Sequence, residues 1–531
     1  MNGILERLRR NRTRIIIVAI LVLLFFLAIQ GMSARDWIIT TLRALSVGSV
    51  TFLVAAGFSI ILGLMDVLNL AQGTLFMIGA YVGWSVLVRP DTFADILTPL
   101  TLVAAGILLK PLFARPLGRL KVSRAVARVW PWIGLVVAMV ILAFTLSRAP
   151  IAIWDAEVYN QSPVVWTQNY QRGLSLSLIE PARFEGLSPV IGLFGMVLSG
   201  LLVGASLTGL GQRGRGQSAS LAGGQRVLPW RTLIVFFVLL VSGIGIYLVN
   251  DALTNLLFTI DSTYLFLLAV AVATLTGAGL GALMEATLIR PLYERAIYQI
   301  MLTFGLGFVG IEVVRAVWGR SGFTMPRPSI FANQGEGCPA TTLAGALANR
   351  CRIWSVTIGG ESARLRTYNE MFVIVVGLVV LVAVWLLLQR TRLGMIIRAG
   401  VQDSEMVEAL GINVRQVFTL VFALGVGIAA LGGVISGPST GLSAEMGASL
   451  LLSALIALAI GGLTSYPGAA AGSVLVGLVQ QFIIKYGQIG IKLPFLAEPF
   501  KPTPPLVPAS TVLLMVVILV LVPQGLFGRK E

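Results

Sequence analysis

Residues 371–390 read MFVIVVGLVVLVAVWLLLQR, residues 391–416 TRLGMIIRAGVQDSEMVEALGINVRQ, and residues 417–438 VFTLVFALGVGIAALGGVISGP. The two flanking runs are continuously apolar, and about 20 residues rising about 1.5 Å each cross the hydrocarbon of a bilayer. Lipid offers no partner to backbone N–H and C=O groups, so such runs must be helices whose hydrogen bonds close internally. A membrane barrel would alternate apolar and polar residues instead. The charged stretch is then an aqueous connection, and its pattern predicts a short helix over Gln402–Leu410. Asp403 or Ser404 can cap its start, Asp403 and Glu405 suit the positive end of its dipole, and Gly411 can end it. Met406, Leu410 and Val407 are expected on one side, with Glu405 and Glu408 turned to a partner. The acids Asp403, Glu405 and Glu408 disfavour an anionic lipid surface and favour a protein.

The same alternation runs through all 531 residues. The chain is 56% hydrophobic and 12% charged, with a mean hydropathy of +0.90, whereas soluble proteins carry about 25% charged residues. The fold class is an all-α polytopic membrane bundle with broken helices. About 14 crossings are expected from the length of bilayer they must span, near 15–31, 38–63, 73–88, 97–112, 131–147, 189–210, 232–250, 263–289, 299–318, 371–389, 416–437, 449–463, 467–486 and 510–525. The start, MNGILERLRRNRTR before IIIVAILVLLFFLAI, reads as a signal anchor or as a cleavable signal peptide. As an anchor over 1–36, its basic flank places the N-terminus in the cytoplasm. Alternation then puts Arg115, Arg119, Lys121, Arg124 and Arg128 in one inside loop and Arg213, Arg215, Arg226 and Arg231 in the next, with Asp91, Asp95, Asp251 and Asp261 outside. Loop 319–369 falls outside despite its arginines, since long loops obey the charge rule poorly. It holds both cysteines, Cys338 and Cys351. They read as a disulfide there, or as two free thiols if the topology is reversed.

The net charge of +16 sits in short clusters between apolar runs, which is a topology signal rather than a nucleic-acid surface. With no histidine, His-based zinc sites, Ser-His-Asp chemistry and His proton relays are excluded. No G-x-x-x-x-G-K-[ST] occurs, so no P-loop of this chain holds ATP, and no cofactor is expected in it.

Two polar interruptions lie between apolar runs. GLMDVLNLAQG (63–73) carries Asp66, Asn69, Gln72 and Gly73, and GGLTSYPG (461–468) carries Gly461 and Gly462. Each reads either as a broken helix lining a translocation path or as a turn in water, and the two are expected to face each other. Glu285, Glu312 and Arg315 are costly if they face lipid, and Glu312 and Arg315 stand at i,i+3 spacing for a pair.

RAGVQDSEMVEALGINVRQVFTLVFALGVGIAALGGVISGP (398–438) resembles the coupling loop and following helix of membrane subunits of ABC importers for branched-chain amino acids, urea and related small amides. VGSVTFLVAAGFSIILGLMDVLNLAQGTLFMIGAYVGW (47–84) looks like that family's N-terminal signature, and IALAIGGLTSYPGAAAGSVLVGLVQQFI (456–483) like its C-terminal one. LIRPLYERAIYQIMLTFGLGFVG (288–310) is similar to a basic Pro turn common there. Against the family pattern, Gln72 stands where members often have His, and Asp66 where they have a small residue. The resemblance implies an N-terminal signature over 37–89, an insertion over 90–260 and a permease core over 261–531, with coupling loop 390–415. The insertion adds four crossings, an even number that preserves the orientation of every later crossing. It implies that Gln402, Asp403, Glu405, Glu408, Ala409 and Gly411 meet an ATPase, and that this chain translocates solute without being an enzyme. The implied partners are two ABC ATPase subunits that use ATP and Mg, a second permease subunit, related or identical, an extracytoplasmic solute-binding protein and the lipid bilayer, with no nucleic acid. The implied location is the bacterial plasma (inner) membrane. A stand-alone secondary transporter or channel for small solutes explains the helices but not the acidic connection.

Overall fold

A computed structural model describes residues 32–109, 124–149, 151, 153–154, 178–179, 187–213, 230–293, 295–320, 322–358, 360–402, 404–491 and 498–528. The expected crossing 15–31, the basic residues Arg115, Arg119, Lys121, Arg215 and Arg226, and Asp403 lie outside the described residues, as do the side chains of Arg124, Arg128, Arg213, Arg231, Gln402 and Glu405. The chain divides into two compact units: the described residues up to Val88 and from Asp261 onward, and those within Arg89–Gln161 and Arg172–Ile260.

The larger unit opens with α1 (Ala34–Met65), capped by Ser33, whose hydroxyl accepts from the Asp36 N–H. Asp66 ends it in the left-handed conformation, with φ 54°. After an extended stretch, α2 (Gln72–Val88) begins. The second unit then comprises α3 (Pro90–Leu108), α4 (Arg124–Leu146), α5 (Pro189–Arg213), α6 (Trp230–Leu248) and α7 (Asn250–Thr259). In it α5 packs between α3 and α4, with Gly200 set against the Val103 carbonyl and Gly209 against Trp130. The sequence predicts one crossing over 232–250 and an aqueous connection after it; instead the helix breaks at Val249 and turns by 74° into α7.

The larger unit resumes with α8 (Ser262–Met284), prolonged by a π-turn at Glu285–Ile289 and a 3-10 turn at Arg290–Leu292, and then α9 (Ala296–Trp318). Residues 322–366 fold as a small cap containing α10 (Leu343–Ala348) and an antiparallel hairpin that pairs Ile353–Ile358 with Glu361–Arg366, Ile353 opposite Arg366. Cys338 and Cys351 are joined there in a disulfide, with Cα atoms 5.5 Å apart. The chain continues through α11 (Val373–Arg390), α12 (Arg392–Gln402), α13 (Ser404–Ala409), α14 (Val414–Thr440), α15 (Met446–Gly461), α16 (Tyr466–Ile489) and α17 (Leu506–Leu521). Two ends are thus defined, one carrying α12 and α13, the other carrying the disulfide cap, with α11 and α14 running between them. At the cap end the Tyr368 hydroxyl donates to the Ile435 carbonyl, and Phe323 pairs with Leu442.

Among the described residues nine helices are long and apolar enough to cross a membrane, and ten if the bent pair α6–α7 is one span. The chain is an all-α polytopic membrane protein. The expected figure of about 14 is not reached by length, because 73–88, 449–463 and 510–525 correspond to shorter helices, α2, α15 and α17. For α2 the cause is in the packing. Its first residue, Gln72, lies level with Gly57, since a methyl on Gly57 would collide with both the Gln72 amide and the Gly425 carbonyl. Gly57 stands eight residues before the end of α1, about 12 Å back along its axis. The segment from Asp66 to Ala71 therefore returns into the bundle before α2 begins.

Candidate coupling face and broken-helix core

At the first end, Thr391 separates α11 from α12: its backbone is extended, and its hydroxyl accepts the Gly394 N–H at 3.0 Å. Within the stretch read as an aqueous connection, residues from Arg392 onward open a separate amphipathic helix. Ile397 is fully buried against α1, α11 and α14 residues, while Arg398 reaches back to the Gln389 amide oxygen at 2.7 Å. In α13 the burial differs from the sequence expectation: Val407 is the buried residue, and Met406 and Leu410 are 59% and 73% exposed beside the exposed Glu408 and Ala409. With only six residues, this helix is too short for periodicity to fix its facing. Gly411, at φ 82°, closes it by donating to the Glu408 carbonyl, and Ile412 donates to the Val407 carbonyl. Only such a left-handed residue allows the immediate turn into Asn413, whose side chain caps α14. The result is a protruding face of Met406, Glu408, Ala409 and Leu410, held from behind by Val407.

The same end carries a polar lock that the sequence shows only in part. Glu285, with no exposure, receives two hydrogen bonds from Arg290 (3.1 and 2.8 Å), one from the Tyr293 hydroxyl (2.5 Å) and one from the Thr419 hydroxyl (2.6 Å). The π-turn after α8 brings Arg290 back to Glu285 five residues earlier. Thr419 lies on the second turn of α14. The turn after α8 is thus tied to the helix that succeeds α13. Arg290 and Tyr293 belong to the basic Pro turn, but Thr419 carries no sequence signal.

Within the bundle, Asp66 is exposed at the end of α1, whereas Val67, Asn69, Ala71 and Gln72 are buried. The Asn69 amide donates to Gln72 Oε1 at 2.9 Å, and Gln72 Nε2 donates to the Gly425 carbonyl of α14 at 2.9 Å. Thr303 on α9 donates to the Leu68 carbonyl and accepts from the Leu70 N–H, which satisfies the interrupted backbone. Thr303 is a structural neighbour of the interruption that nothing in the sequence singles out. Gly73 and Gly447, at the starts of α2 and α15, touch backbone to backbone, and a methyl on either would collide with the other's carbonyl. Gly461 stands in the same relation to Gly468. Gly462, at φ 109°, abuts Gly528, and the carbonyls of Ile460 and Gly461 accept from Leu526 and Phe527. The two interruptions adjoin, Gly63 lying against Thr464. Asn69 and Gln72 are in this conformation bonded to each other and to α14. At the cap end, Arg315 joins Glu312 at 2.7 Å and Glu445 at 3.2 Å.

A polytopic helical bundle with a short exposed helix between two crossings, and with α2 starting inside the bundle, is the architecture of a membrane protein compatible with a permease. Residues 234–523, more than half of the chain, match the family described as "Branched-chain amino acid transport system / permease component", and the chain belongs to that family. The matched stretch begins in α6, so the N-terminal signature-like segment 47–84 lies outside it. The high-affinity branched-chain amino acid transport system permease protein BraD of Pseudomonas aeruginosa is 32% identical over 117 residues, 22% of this chain and 38% of that protein. The corresponding protein LivH of Escherichia coli (strain K12) is 31% identical over 171 residues, 32% of this chain and 50% of that protein. The chain thus spans half or less of the length of these relatives. No solved structure matches it.

Proposed function

We propose that this chain is the translocating subunit of an ATP-driven importer of branched-chain amino acids or a similar small neutral solute such as urea. The protruding face on α13 supports this reading most. Exposed Met406 and Leu410 around Glu408 form an apolar surface with one charge, on an element that two crossings must carry with them. In the proposal an ATPase subunit receives Gln402, Asp403, Glu405, Glu408, Ala409 and Gly411 in a groove, and closure of two ATPases on ATP and Mg shifts α11 and α14. A second permease subunit, related or identical, completes the passage, and an extracytoplasmic binding protein delivers the solute. The chain itself hydrolyses nothing. It sits in a bacterial plasma (inner) membrane with its N-terminus and α13 in the cytoplasm. The path opens where Asn69 and Gln72 release each other beside Asp66 and Gly73, next to the second interruption at Gly461 and Gly462.

Two variants test this, Glu408→Lys, which inverts the charge of the exposed face, and Gly411→Val, which strains the left-handed turn by about 1 to 3 kcal/mol. Both are expected to insert normally while losing co-purification with the ATPase and ATP-dependent uptake. Uptake in vesicles on an ion gradient without nucleotide would overturn the proposal.

A further inference from the structure

The cap end carries an excess of positive charge. Glu370, with only 3% exposure, accepts from Arg43 Nε at 3.2 Å and from the Arg366 N–H, so both of its oxygens are engaged. In the hairpin Ile353 stands opposite Arg366, and the Thr367 N–H donates to the Arg352 carbonyl, which sets Arg352 and Arg366 at the same end of the two strands. Segment 325–331 brings Arg327 to that end by lying along Tyr368. The Phe331 and Tyr368 rings are 5.6 Å apart, and Met325 and the Tyr368 hydroxyl reach the same turn of α14, at Gly437 and Ile435. Arg327 is half-buried, and its Nε is enclosed without a hydrogen-bond partner. Burial first, and then Arg352 and Arg366, lower the pKa of its guanidinium, and the Glu370 carboxylate opposes this only in part. Among the described residues no carboxylate pairs with the side chain of Arg327, Arg352 or Arg366. An enclosed donor facing two like charges is costly unless an anion joins them.

The depth of the cluster identifies the anion. The crossing that includes α11 begins at Tyr368, two residues after Arg366, so these arginines stand at the level of lipid headgroups. From Val375, about 10 Å further along the axis, α11 turns an exposed apolar face outward in Val375, Leu378, Val379 and Val382. Guanidinium forks donate in pairs to planar carboxylates and to phosphates. A phosphate offers oxygens in several directions, which suits forks carried on the hairpin and on segment 325–331, and a diacylglycerol body would run onto the apolar face. Choline or ethanolamine would bring a further cation into a site whose one carboxylate is already engaged. We propose that the cap end binds an anionic phospholipid, its phosphate held by Arg327, Arg352 and Arg366 and its acyl chains lying against α11. The inference stands on the larger unit alone and does not depend on the transport reading.

The test uses the full chain in nanodiscs of phosphatidylcholine, titrated with phosphatidylglycerol and read by native mass spectrometry and by the protease resistance of 322–366. Phosphatidylglycerol should bind saturably, at least tenfold more tightly than added phosphatidylethanolamine, and should slow cleavage of the cap severalfold. Arg327→Gln should weaken that binding at least tenfold and remove the slowing. Because it relieves repulsion, the same variant in phosphatidylcholine alone should be cut no faster than wild type, whereas replacing an arginine with a purely structural role would loosen the cap. Arg327→Lys keeps the charge without the fork, and Arg366→Gln changes an exposed position; each should bind severalfold more weakly than wild type. Soluble glycerophosphoglycerol, the headgroup without chains, should not displace the lipid at equal concentration. Equal retention of zwitterionic and anionic lipid, wild-type binding by Arg327→Gln or Arg366→Gln, faster cleavage of Arg327→Gln in phosphatidylcholine alone, or displacement by glycerophosphoglycerol at equal concentration overturns the proposal.

Discussion

Glu285→Gln should destabilise the bundle by about 3 kcal/mol, a figure set by how the carboxylate is held. The group is completely buried and bonded to Arg290, Tyr293 and Thr419. Removing one partner of a buried ion pair costs about 3 to 5 kcal/mol. The Arg290 side chain is 33% exposed and can recover some hydration, which moves the expectation to the low end of that range. Tyr293 and Thr419 would keep a neutral acceptor in place of a charged one, so their loss is partial. Arg290→Met should cost more than Glu285→Gln, because it strands a negative charge with no exposure and only two hydroxyl donors. Thr419→Val should cost about 2 kcal/mol, because the hydroxyl both donates to Glu285 and accepts from Arg290. The assay is equilibrium unfolding in mixed micelles, with a double-mutant cycle between positions 285 and 419 to isolate their coupling. Losses below about 1 kcal/mol for both Glu285→Gln and Arg290→Met, or no coupling between 285 and 419, would refute the lock.

Gly57→Ala places a methyl against the Gly425 carbonyl and the Gln72 amide; the overpacking should cost about 1 to 3 kcal/mol and lower the thermal midpoint, whereas Gly279→Ala, which meets open space, should not. Replacing Cys338 and Cys351 by Ser opens a link across 13 residues, which should cost the cap about 3 kcal/mol and appear as faster proteolysis within 322–366 only. Asp261 is held well below the usual carboxylate range by the Ser329 hydroxyl first, then by the Thr263 N–H and side chain and by Arg350. A depressed folded pKa gives stability that is present above the unfolded value, about 3.9, and lost as pH falls from there toward the folded value. Protease sensitivity of the cap should therefore be flat from pH 8 to 5 and rise only below about pH 4, and Asp261→Asn should remove that rise; an unchanged acid profile in the variant would show that another group controls it.

The features legible in the sequence are those that depend on neighbours along the chain. The apolar runs on either side of 391–416 specified helices α11 and α14, and Gly411 marked the end of α13 because a left-handed residue is needed there. Glu285 stood out as a charge too costly to face lipid, while its partner Arg290 emerged only once the π-turn after α8 was seen to bring the two together. The features that were not legible depend on residues hundreds of positions apart. Asn69 and Gln72 announced an interruption, but its depth is set by the contact of Gly57 with Gly425, which no local pattern encodes. The break at Val249 occurs in GIGIYLVNDALTN, where no proline marks it, and Pro99 lies inside α3, a helix the hydropathy placed later. The cap hairpin at 353–366 was hidden because length and charge, rather than alternation, dominate the reading of that loop.

The residues that sequence could not connect meet on one helix. Asn413 caps α14 directly after α13; Thr419 is bonded to Glu285; Gly425 accepts from Gln72. From Val414 to Gly425 is eleven residues, about 17 Å along the axis. Over that distance α14 is a continuous helix with Gly425 pressed against the backbone of α1, so it has little room to bend. A displacement applied at its first turn must therefore either stretch the Thr419–Glu285 bond or carry the turn after α8 along with it, and in both cases it moves the carbonyl that holds Gln72. The Asn69–Gln72 pair has no other anchor on α14 among the described residues. Release of that single bond is the smallest change by which an event at α13 could reach the broken-helix core.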